Sequence, residues 1–355
     1  MKYWRGYLTA GILFACTWAL EAFAKAHIAL MDMIYPYMTR MMQMFLSDWS
    51  SSVDFCLWQV LMLVLAALAI GTLVLVVIFK GNPIQWFGWV CAVVALVNLL
   101  NVGLYGLNQY SGDLAEDIRL EETDYTVTEL EKAAVYYRNQ ANQLAEAWDP
   151  DGTATVSPFE TLARQASNGF QNLVYGESLA VFAGPMNPVK KLAWSGNYTA
   201  QGITGVTVGL TGEAAVNPET PGVLLPFAIC QEMAHRMSIL VPKDASFAAY
   251  MACLANSDPQ FQYSGALMGY RYCIKALEEL NRAKDVRAGE NAMVKRDLLL
   301  CDEFLSKGEQ DDADTCDLLT SWHIQEVVLP SLIEEEDPFD PLDKSQVDLS
   351  DHPDA

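Results

Sequence analysis

Residues 55–79, FCLWQVLMLVLAALAIGTLVLVVIF, run for twenty-five positions without a charged side chain. An apolar helix of about 20 residues covers the hydrocarbon core of a bilayer and satisfies its own backbone groups. Residues 7–24 and 86–107 read the same way; the latter is broken only by Asn98 and Asn101, which can bond to neighbouring helices. Trp86, Trp89, Tyr105 and Tyr110 flank this third run as an aromatic belt would. Three spans in the first 111 residues are therefore expected. The first has an alternative reading: Lys2 and Arg5, an apolar stretch and Ala22-Phe23-Ala24 also suit a cleavable signal peptide. Both readings place Lys2, Arg5 and Lys80 inside, and residues 25–54 and everything after Ser111 outside.

Between the first two spans, HIALMDMIYPYMTRMMQMFLSDW is rich in Met and aromatic residues and carries Pro36 at its centre. Two readings stay open: a broken amphipathic helix on the membrane surface, or packing against the spans.

After GLNQYSG the composition turns acidic. Residues 1–112 carry five basic and four acidic side chains; the whole chain is −22, so the remainder carries −23. Such a surface does not displace counterions from phosphates, which argues against nucleic acid as a partner. The expected organisation is a transmembrane region (1–111), an outer domain (112–333) and an acidic, Pro-containing tail (334–355) without stable order. Of eight cysteines, Cys16, Cys56 and Cys91 sit in apolar runs; Cys301 and Cys316 are the one pair weighed for a disulfide.

In the outer domain, Thr126-Val127-Thr128-Glu129 is a capping box opening a helix to about Trp148, and a second helix starts near Pro158. Between them, Asp149, Asp151, Thr153 and Glu160 occupy positions 1, 3, 5 and 12 of a calcium loop, but Ala154 stands where that turn needs Gly, so a plain acidic turn is the better reading. Residues 184–205 read as loop. GVTVGL and EAAVN, separated by Thr211-Gly212, suggest a small hairpin. Helices follow at LLPFAICQEMAHRMSIL, with Pro226 in the first turn, and at 244–256, 263–283 and 288–306.

The chemistry concentrates in Cys230-Gln231-Glu232-Met233-Ala234-His235. In H-E-x-x-H, residues four apart share a helix face, so two imidazoles reach one zinc and the intervening Glu acts as base toward its water. Here Glu232 and His235 are in register, and Asp244 opens the next helix where a third, carboxylate ligand belongs. Gln231 replaces the first His, and a neutral amide oxygen is a weak zinc ligand. Cys230 lies on another side of the helix, and the placement of His323 is not legible.

Several short motifs resemble the domain of unknown function 3810 family, bacterial three-pass membrane proteins with a zincin-type domain outside the plasma membrane. They are Gly106-Leu107-Asn108-Gln109-Tyr110, Gly202-Ile203-Thr204-Gly205, Thr211 to Asn217, Leu225-Pro226-Phe227, Asp244-Ala245-Ser246-Phe247, Ala252-Cys253 and Tyr263-Ser264-Gly265. The resemblance implies a mainly α, membrane-anchored fold with a small β element in a zincin-like domain. It implies zinc held at Gln231, His235 and Asp244, with Glu232 as general base. The family usually has Glu at the Asp244 position and Asn at those of Ala215 and Ser246. Two functions follow: a membrane-anchored zinc metallopeptidase with a degenerate site, or a non-catalytic descendant binding a peptide or membrane protein. The strand over 205–210 would pair with an extended peptide. A purely structural role explains less, since it gives no reason for Glu232 and His235 to stay in register.

Overall fold

The structure is a computed structural model describing residues 4–150, 153–308 and 313–330. Lys2, Asp151 and the acidic tail lie outside the described residues. The chain is mainly helical, with three helices long and apolar enough to cross a membrane: α1 (Arg5–Ala26), α3 (Leu57–Ile78) and α4 (Pro83–Leu104). Between α1 and α3 runs α2 (Ile28–Ser50).

Helices α1 and α4 pack against each other through small residues. A Cβ on Gly6 would strike the Gly88 backbone, and one turn further Ala10 meets Ala92 and Ala95. Gly6-x-x-x-Ala10 facing Gly88-x-x-x-Ala92 is the small-residue pattern that lets two membrane helices approach closely. Tyr7 closes the contact by donating to the Ile84 carbonyl at 2.9 Å.

Helix α2 is unbroken, contrary to one of the two readings of Pro36. It is held on both sides of the proline. Tyr35 donates to the carbonyls of Gly103 (2.9 Å) and Val102 (3.2 Å), and Thr39 bonds the Asn108 side chain and Ser238. Its protein-facing stripe is polar (Thr39, Gln43, Ser47, Ser50), whereas Met33, Tyr37, Met41 and Phe45 point away, exposed. Gln43 donates to the Gly209 carbonyl at 2.8 Å, and Ser47 bonds Asn187. Thus α2 packs on the C-terminal domain as well as on the end of α4, and several hydrogen bonds cross the boundary near Ser111.

The C-terminal domain opens with α5 (Leu114–Ile118) and α6 (Val127–Trp148), which carries the expected capping box, followed by α7 (Phe159–Tyr175). In the turn before α7 Asp149 accepts the Ala154 N–H, and Glu160, in the first turn of α7, pairs with Lys191 at 2.5 Å. The region read as loop contains β1 (Lys190–Lys191) and α8 (Ser195–Thr199). The hairpin is present as β2 (Gly205–Val208) and β3 (Glu213–Val216); β3 is central, antiparallel to β2 and parallel to β1.

Next come α9 (Leu225–Arg236), α10 (Pro242–Ala255) and α11 (Pro259–Glu279). The helix expected over 288–306 is present with a later start: a single turn, α12 (Lys284–Arg287), precedes it, and Asn291 caps α13 (Ala292–Leu305). Finally α14 (Ala313–His323) continues into a π-helical turn, Ile324–Val328. The core lies where α9, α10 and α11 meet α6, α7 and α14. All eight cysteines are free thiols, so Cys301 and Cys316 do not bridge; both are buried, and Cys316 contacts Thr320.

Candidate functional site

Helix α9 begins with Pro226 in its first turn, where the missing N–H costs nothing, and ends in a Schellman motif. There the Ile239 N–H reaches the Ala234 carbonyl and the Ser238 N–H reaches that of His235. Ser238 takes φ +76°, the left-handed conformation such a stop requires. Three hydrogen bonds tie this end of α9 to the membrane part: Tyr105 donates to the His235 carbonyl at 2.7 Å, Arg40 donates to the Met237 carbonyl at 3.3 Å, and Thr39 bonds Ser238 at 3.1 Å.

Glu232 faces β2. Its carboxylate accepts the Thr207 hydroxyl at 2.7 Å, and a Cβ on Gly205 would collide with it, so strand and helix approach closely only because Gly205 has no side chain. The residue is 5% exposed. Burial pushes its pKa up to about 7, and the Thr207 bond opposes that rise.

His235 places Nδ1 2.9 Å from the Ile239 carbonyl, so this nitrogen carries the proton and Nε2 keeps its lone pair. Burial pushes the imidazole pKa down and the carbonyl contact opposes it, so the neutral ring is favoured. An imidazole in this state is suited to ligate a metal.

The other two implied ligands have hydrogen-bond partners of their own. Gln231 donates Nε2 to the Ser246 hydroxyl at 3.0 Å, and Tyr272 donates to the same hydroxyl at 3.3 Å. Asp244 belongs to a separate acidic pair at the start of α5. Its Oδ2 accepts the Leu114 N–H at 3.4 Å, and its pKa is raised by burial, by the charge of Asp113 and by the hydrogen bond a protonated Asp244 donates to Asp113. Asp113, although partly desolvated itself, is held below the usual carboxylate range by bonds from Lys243 and Asp244. Lys243 also bridges to Glu122 at 2.7 Å.

Among the described residues, no three His, Cys, Asp or Glu side chains are grouped as a metal site would group them. The donor set at α9 therefore does not fit a tetrahedral zinc: one well-prepared imidazole, one neutral amide engaged with Ser246, and a carboxyl paired with another carboxyl. Cys230 is fully buried in the core, and His323 sits against Tyr136 and Tyr137, so neither supplements the set. Ala215 is buried in β3 against Cys56 and Leu192.

A family model described as "Protein of unknown function (DUF3810)" matches residues 31–318. The chain belongs to this family. No curated protein and no solved structure matches it. The matched region starts within α2 and so includes most of the helix on which the C-terminal domain rests.

Sequence reasoning did not find Thr207, Tyr105 or Asp113. Thr207 is an ordinary strand residue, and Tyr105 read as part of an aromatic belt. Asp113 stands, as an N-cap residue would, directly before a short helix, and that was the only signal it carried.

Proposed function

We propose that this protein is a membrane-anchored, zincin-like binding module whose outer domain stands outside the bacterial plasma membrane and engages a peptide or membrane protein without hydrolysing it. Asp244 carries this reading. Its carboxyl lies with Asp113 and the Leu114 N–H, which leaves His235 as the one strong ligand on α9. Arg5 and Lys80, at the opposite end of the spans from the outer domain, support the orientation. The edge position of β2 beside α9 offers an extended partner a strand to pair with.

The test is zinc per chain, by elemental analysis of the full-length protein in detergent, with Gln231→His and His235→Ala in parallel. The expected result is well below one zinc per chain in the natural protein. Stoichiometric zinc that disappears in His235→Ala would overturn the reading.

A second reading, a zinc peptidase with Glu232 as its base, is favoured by two observations: the Nε2 lone pair of His235, and a Glu232 pKa of about 7, where a general base works well.

A further inference from the structure

A cleft of about 570 Å³ opens between α2 and residues 117–119 and 177–181. Its charged lining is mixed: Asp32, Asp117 and Glu177 against Arg40 and Arg119. The side chains of Asp117, Glu177 and Arg119 make no hydrogen bond or ion pair among the described residues. Arg40 spends Nε on the Met237 carbonyl and reaches Ala180 at 3.5 Å, with Nη2 unengaged. Asp32 accepts the Gly112 N–H at 2.9 Å through Oδ1. A mixed set of charges in one cleft, three of them without a hydrogen-bond or ion-pair partner among the described residues, suits a ligand that carries both signs.

The cleft lies at the membrane surface. One residue, His27, separates α1 from α2, and residues 51–56 join α2 to α3, so both ends of α2 stay at the same face of the bilayer. The outward side of α2 is apolar and exposed, and Met33 and Tyr37 belong both to that side and to the cleft wall. An exposed apolar helix face tethered at both ends to spanning helices is covered by lipid. The cleft is thus continuous with the surface that the leaflet covers.

We propose that this cleft holds the headgroup of an amine-bearing zwitterionic phospholipid from that leaflet. Its ammonium meets Asp32, Asp117 and Glu177, and its phosphate meets Arg40 and Arg119. An anionic headgroup without an amine would leave the three carboxylates unmatched beside a domain that is already strongly negative. A quaternary amine would bring the charge but no N–H to donate.

The test uses full-length protein, delipidated in mild detergent and offered an equal mixture of phosphatidylethanolamine, phosphatidylglycerol and phosphatidylcholine, with bound lipid read by native mass spectrometry. Phosphatidylethanolamine is expected to be retained about tenfold over either competitor, a ratio equivalent to about 1.4 kcal/mol. Asp117→Asn with Glu177→Gln is expected to abolish the preference, and Arg119→Gln to weaken retention. A misfolded variant loses all three lipids alike, whereas loss of the site changes their ratio. Equal retention, a preference for phosphatidylglycerol, or an unchanged ratio in the double variant would overturn the proposal. So would equal retention of glycerophosphoethanolamine and phosphatidylethanolamine offered together at equal concentration, which would assign the cleft to a soluble ligand. None of these outcomes depends on whether α9 binds zinc.

Discussion

Lys190 and Glu213 form an ion pair of 2.6 Å in which the Glu213 side chain is wholly excluded from solvent. The same carboxylate accepts the backbone N–H groups of Leu57 (2.7 Å) and Trp58 (2.9 Å), the first turn of α3, while Lys190 donates to the carbonyls of Ser50 and Phe55. One buried pair thus caps a membrane-spanning helix from the central strand of the outer sheet. An anion at a helix N-terminus meets unsatisfied N–H groups and the positive end of the helix dipole.

Removing one partner should be costly. Glu213→Ala strands the Lys190 ammonium in the interior, which destabilises by roughly 3–5 kcal/mol. Replacing both, with Lys190→Met and Glu213→Leu, should cost less than the single change, because no uncompensated charge is left. Unfolding midpoints of the three proteins in detergent check this; a double variant worse than Glu213→Ala would contradict it.

Glu232 sets a pH dependence. Its folded pKa of about 7 lies above its ordinary value of 4.5, so between these values the folded state binds more protons than the unfolded one. Stability from this group is present at acid pH and is lost as pH rises from about 4.5 through 7, by about 3 kcal/mol in all. Glu232→Gln should flatten that part of the curve. Thr207→Val removes the hydrogen bond that lowers the pKa and should steepen it. Denaturant unfolding of each variant across pH 4 to 8 measures the difference from the natural protein; Asp244, whose pKa is also raised, adds the same pH dependence to natural protein and variants and drops out of that difference.

In the membrane, Gly6→Leu should disrupt the α1–α4 contact, since any Cβ there meets the Gly88 backbone. The expected loss is about 1–3 kcal/mol. Gly11, one residue past Ala10 and on the same helix, has open space around it, and Gly11→Leu should leave the unfolding midpoint unchanged.

Tyr105→Phe deletes the hydroxyl that joins the end of α4 to the His235 carbonyl. That carbonyl keeps the Ser238 N–H, so it is not left unsatisfied, and the cost should be near 1 kcal/mol. Faster amide exchange at the C-terminal turn of α9, with the rest of the C-terminal domain unaffected, is the expected signature.

The sequence by itself determined the local elements. The three apolar runs became α1, α3 and α4; Thr126 and Glu129 capped α6; Pro226 opened α9; and Thr211-Gly212 turned a hairpin. Each of these is written in neighbouring residues, through side-chain polarity, a cap or a restricted φ, and needs no distant partner. The tertiary structure decided what those elements do together. Pro36 does not break α2, because Tyr35 and Thr39 anchor it on both sides to the end of α4 and the turn after it. Asp244 stands at the third-ligand spacing in sequence, yet it pairs with Asp113, 131 positions earlier. Lys190 and Glu213, 23 positions apart, are the buried link between sheet and membrane helix, and no neighbouring residue signals that pairing. A pair of charges gains or costs free energy according to what surrounds it after packing, and that environment is assembled from segments the chain brings together only when it folds.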